Sequence, residues 1–165
     1  MPRPLLFALR ALIILLLAGS VFVQTRLVPV AWADLDGAAP DVLAIRAPVL
    51  TIVVLGIGSI QVALVCVWLL LTMAARGTVF SRRAFRYVDV VIVAAVVAAA
   101  LAGALAVVLA PGEPVPPGVV LLVCGVAALA ATLALIVLVL RFLLAQAVAR
   151  DAEANRLQAE LDEVI

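Results

Sequence analysis

Four stretches almost free of charge, each long enough to cross a lipid bilayer, constrain this chain more than any motif in it. They are Leu5–Val23, broken only by Arg10, then Ala47–Ala75, Val90–Ala110 and Val119–Leu140. A transmembrane helix needs about 20 mostly apolar residues at 1.5 Å of rise each. Hydrocarbon offers the backbone no water, so each stretch must satisfy its own N–H and C=O groups as a helix. Continuous apolarity without period-two alternation argues against a β-barrel. A soluble alternative fails on composition: 68% of the residues are hydrophobic, against roughly 45–50% in soluble chains, and a chain this short cannot hide them from water. The expected fold is all-α, a four-helix integral membrane bundle over residues 1–140. The fourth helix runs on past Arg141 into a short amphipathic cytoplasmic tail, residues 141–165.

Orientation follows from the arginines, because the cytoplasmic side carries the basic excess. In a four-span arrangement Arg3, Arg10, Arg76, Arg82, Arg83, Arg86, Arg141, Arg150 and Arg156 share one side and only Arg26 and Arg46 the other. Both termini are therefore expected in the cytoplasm, with Arg10 snorkelling to the headgroups. A secretory signal competes for the first span, since Ala31-Trp32-Ala33 resembles a small-residue cleavage site. It lies beyond Arg26 and Pro29, too far from the apolar run to follow it closely, so the span is expected to remain as an anchor.

The chain has no histidine and no lysine, which removes imidazole-based catalysis and zinc ligation, and all lysine chemistry. Within the spans the polar side chains noted are Ser59, Gln61, Thr72 and Thr132, with the thiols of Cys66 and Cys124. No clustered ionisable or nucleophilic set is present, so no enzyme and no cofactor is expected. Gln61 lies near the middle of the second span beside Gly56, Gly58 and Ser59, small residues that would allow close helix approach, with its amide bonding across to a residue such as Thr132. Such a bond is structural glue; a transport route usually carries intramembrane charge. Ala94, Ala98 and Ala102 form a small-residue ridge on the third span. The two cysteines sit at different depths and read as buried small hydrophobes.

The connections carry the recognisable residues. The outer segment from Gln24 to Arg46 mixes apolar residues with Asp34, Asp36 and Asp41, and is expected to rest on the bilayer surface as a lid, with Trp32 at the interface. Asp41 would cap the second helix and Pro48 sit in its first turns. In the inner loop Gly77 suits a helix C-terminus, Ser81 the N-cap of the third helix, and Phe80 with Phe85 a hydrophobic staple. Arg82, Arg83 and Arg86 then meet lipid phosphates or an acidic partner, with Asp89 placed for a helical ion pair with Arg86. In the tail Leu157, Leu161 and Val164 recur at helical spacing, while Arg150 and Arg156 lie within reach of Glu153 and Glu160.

Arg76-Gly-x-Val-Phe-Ser81 followed by Ala84-Phe85, with a tail closing on Glu160-Leu-Asp-Glu-Val-Ile165, resembles the bacterial membrane family called domain of unknown function 2975. The resemblance covers nearly the whole chain. It implies the fold and the bacterial inner membrane but no activity, and offers a small helix-turn-helix regulator as a cytoplasmic partner. The expected role is interaction or regulation, non-catalytic, through Arg82, Arg83 and Arg86 on the loop and Arg150, Arg156, Leu157 and Leu161 on the tail. Gln61 and Thr132 serve helix packing. Lipids, another membrane protein and a second copy remain as further partners, and direct nucleic-acid binding is not expected. The alternative is a small transporter or channel subunit. Reporter fusions at Ala38 and after Ile165 should read external and cytoplasmic respectively; matching signals from the two sites would contradict four spans.

Overall fold

The computed structural model describes residues 3–37, 40–75, 82–110 and 116–164, and among these the chain is helical with no strand. Helix α1 (Arg3–Phe22) passes through a π-helical turn, Val23–Leu27, into α2 (Val28–Asp34) and a closing 3-10 turn, Leu35–Gly37. Then follow α3 (Pro40–Ala75), α4 (Arg82–Leu109) and α5 (Pro117–Val164). Four helical stretches are long and apolar enough to cross a membrane, within Leu6–Asp34, Val42–Ala75, Ala84–Leu109 and Pro117–Gln158. Pro40 and Pro117 each open a helix, where the N–H that proline lacks has no helical acceptor to lose.

The first hairpin is longer and more regular than the expected lid. Its ascending arm continues the first helix as far as Gly37, and its descending arm begins at Pro40. The apolar residues of this segment keep it helical, because the π turn adds a residue to the helix without ending it. Pro48, expected near the start of the second helix, instead lies inside α3, where it deletes one backbone hydrogen bond. Asp41 falls within the first turn of α3 and so does not precede it as a cap.

Helix α4 is the centre of the assembly and packs along both α3 and α5. Ala94 and Ala106 of α4 are buried, as is Ala134 of α5. In lipid no hydrophobic force draws helices together, so close van der Waals packing of small residues has to do it, and methyl side chains let the backbones approach. The ridge at Ala94, Ala98 and Ala102 thus extends to Ala106 and serves this purpose at its ends. At its middle, Ala98 and Ala102 face Gly56 of α3 and Ala130 of α5 across an apolar groove of about 210 Å³. A Cβ built on Gly56 or Gly58 would meet nothing within 4 Å. Gly56 widens the groove, and neither glycine marks a close approach, contrary to the sequence expectation. Cys66 is buried as expected, but Cys124 is exposed on α5.

The tail is not a separate short helix. Residues from Pro117 to Val164 form one helix of 48 residues, about 72 Å long at 1.5 Å per residue. That is more than twice a hydrocarbon core of roughly 30 Å.

Candidate functional site

Two polar constellations interrupt the apolar packing. The first ties α4 to α5 where both helices leave the apolar region. Asp89 lies seven residues into α4 and Arg141 at the end of the uncharged run of α5. The antiparallel hairpin brings them together: Arg141 Nη2 donates to Asp89 Oδ2 at 3.0 Å, and Arg141 Nε faces Asp89 Oδ1 as an ion pair. The two-pronged guanidinium matches both carboxylate oxygens. Asp89 was expected to pair with Arg86 on its own helix; Arg86 is exposed, and the carboxylate is taken by α5. Beyond this clamp α5 stands free. Among the described side chains from Phe142 to Gln158, Val148 alone is half-buried and all others are exposed, with Leu157 at 56%.

The second constellation joins α1 to α3. Gln61 Nε2 donates to Ser20 Oγ at 3.0 Å and to Gln24 Oε1 at 3.1 Å. Gln24 Nε2 donates to the Val54 carbonyl at 3.2 Å, and Ser20 Oγ donates to the Leu17 carbonyl at 2.8 Å. Ser20 and Gln24 are one helical turn apart and so share a face, and Gln24 sits in the π turn. Thr132, the expected partner of Gln61, is exposed and bonds the Ala128 carbonyl of its own helix at 2.8 Å. The amide therefore glues span two to span one and leaves span four alone.

The same α1–α3 face carries a charge at each end. The Arg10 guanidinium lies over the Trp68 ring, 5.5 Å from its centre, so the arginine meets an aromatic face within the protein. At the other end the Arg46 guanidinium stacks over Trp32 at 4.1 Å, and Nη1 donates to the Trp32 carbonyl at 3.2 Å. Trp32 is thereby held against α3. The main described contacts of the first span are with α3, and beside these polar contacts Ile13 of α1 is buried.

The described side chains among the sequence-predicted interaction residues are spread along α4 and α5. Arg82 and Arg83 occupy the first turn of α4, and Leu161 the last turns of α5; their side chains lie outside the described residues, as do Gly77, Phe80 and Ser81 of the expected cap and staple. Arg86, Arg150, Arg156 and Leu157 are exposed, the last two beside Glu153 on one face of the tail. Sequence reasoning missed Ser20, Gln24 and the Asp89–Arg141 pair. Their signals were present: polar residues four apart at 20 and 24, and a single acid and a single base at the facing ends of two adjacent antiparallel spans. Replacing Asp89 or Arg141 by alanine should lower the melting temperature in detergent by roughly 2 °C, as expected for a pair partly open to solvent. Arg86→Ala should leave it unchanged, and the exchange Asp89→Arg with Arg141→Asp should restore part of the loss. A larger effect at Arg86 than at Arg141 would contradict the clamp.

A family model described as "Protein of unknown function (DUF2975)" matches residues 30–165. The match takes in α3, α4, α5 and most of α2, and leaves α1 outside. No curated protein and no solved structure matches the chain. With most of its length covered by one family model, and with the four long apolar helices that the resemblance implied, the chain belongs to the family of proteins of unknown function 2975.

Proposed function

We propose that this protein is a non-catalytic anchor of the bacterial cytoplasmic membrane, with both termini in the cytoplasm, that acts by presenting the distal half of α5 to a partner. The observation that carries this reading is the free-standing helix beyond the Asp89–Arg141 clamp. A helix that merely ended a transmembrane bundle would need no 23 further helical residues, Phe142–Val164, beyond its last membrane-edge charge. An isolated solvated helix is only marginally stable, and continuity with a membrane-fixed span nucleates it.

Exposed Leu157, with Leu161 a turn later in sequence, supplies an apolar stripe, and Arg150, Glu153 and Arg156 flank it. That combination suits a helical partner that buries the leucines and matches the charges at the rim. Arg82, Arg83 and Arg86 open α4 on the same side as Arg141, and would add a basic edge facing lipid phosphates or an acidic surface. The family resemblance offers a helix-turn-helix regulator as the soluble partner. A transporter or channel subunit is the second reading, and the half-buried Ser20–Gln24–Gln61 cluster is what favours it. The anchor reading is better supported because that cluster carries no charge, and the groove between α3, α4 and α5 is lined by aliphatic and small residues.

In-cell cross-linking followed by affinity capture should recover a partner with the full chain. It should lose that partner when the chain is cut after Arg141, or when Arg150 and Arg156 are both changed to glutamate, with the protein still in the membrane fraction. Capture of the same partner by the truncated chain would overturn the proposal.

A further inference from the structure

The α1–α3 seam is not closed upon itself. Gln61 uses both amide protons, one on Ser20 Oγ and one on Gln24 Oε1. Its own Oε1 accepts from no donor among the described residues, and it is not among the atoms sealed inside the protein. Gln24 uses one amide proton on the Val54 carbonyl, and the second meets no acceptor among the described residues. One acceptor and one donor are thus left over, on two amides bonded to each other, within spans that must lie in hydrocarbon. An amide group left unsatisfied there costs far more than it would in water.

From this leftover pair we infer that the protein forms a two-fold symmetric dimer, in which Gln61 Oε1 of each copy accepts from Gln24 Nε2 of the other. The inference rests on the membrane reading above and goes beyond it. A two-fold axis makes every contact reciprocal, so a self-complementary patch must contain both halves of each bond. For two copies inserted in the same direction that axis runs along the membrane normal and preserves depth. The donor and acceptor must therefore lie at similar depth, and the 3.1 Å bond between the same two amides holds the two groups close together. The flanking surface is apolar and open: Val65, one turn beyond Gln61, is 47% exposed, and Val21, just before Gln24, is 49% exposed. A lipid tail can cover those valines but cannot bond the amides, whereas a second copy does both.

The test uses the full chain carrying a fluorescent protein after Ile165, reconstituted into phosphatidylethanolamine–phosphatidylglycerol vesicles over a range of protein-to-lipid ratios. Single-molecule photobleaching counts the copies, and protease accessibility independently reports insertion. The wild type should pass from one copy to two as the ratio rises. Gln61→Leu, which removes the acceptor from both sides of the interface, should need about tenfold more protein per lipid to do so. Ser20→Ala loosens the seam without touching the leftover pair and should dimerise like the wild type. An inserted wild-type chain that stays single at every ratio overturns the dimer, and so does an equal loss in Ser20→Ala and Gln61→Leu. A chain that fails to insert sinks the membrane reading and the dimer together.

Discussion

Hydrocarbon cannot donate or accept a hydrogen bond, and in this protein that single property decides which helices touch and how. The backbone meets it by being helical in every described span. The side chains meet it by being almost all apolar, which removes any preference between protein and lipid and leaves only shape and the rare polar group to arrange the helices. Shape operates on α4, whose small residues fit it between α3 and α5. Polarity is added to packing on α1, which buries Ile13 and offers α3 a serine, a glutamine and an arginine. The first span is thus joined to α3 by side-chain hydrogen bonds as well as by packing. Its helix α1 also lies outside the family match.

The same constraint explains where charge is placed. Asp89 and Arg141 sit at the apolar boundary and satisfy one another there. Their pairing fixes the point at which α5 leaves the assembly, and beyond it every described side chain but Val148 is exposed. The ion pair at its root holds the free part of the helix in register with α4. On the anchor reading, the dry part of the molecule holds the helix in place and the wet part recognises.

The sequence made the four apolar stretches, the continuity of α5 and the small-residue ridge legible, because each is a pattern along one helix. It concealed the partners of polar residues, which depend on how helices face one another. Thr132 looked suited to Gln61 by depth, yet only α1 turns a serine and a glutamine toward it. Arg86 looked suited to Asp89 by spacing, but a guanidinium across the hairpin grips both carboxylate oxygens. The first span was read as ending at Val23, where polar residues begin; the π turn carries the helix through them and makes Gln24 a bonding group inside the protein. Tail and loop arginines were visible as candidates from their charge alone, and of these Arg86, Arg150 and Arg156 are exposed.

A double-mutant cycle between Ser20 and Gln61, read as unfolding free energy at protein concentrations low enough to keep the chain monomeric, tests the polar seam most directly. The account predicts a coupling of roughly 0.6–2 kcal/mol between Ser20→Ala and Gln61→Leu, and none between Thr132→Val and Gln61→Leu. Coupling to Thr132 with none to Ser20 would contradict it, and would place the glutamine against the fourth span instead of the first.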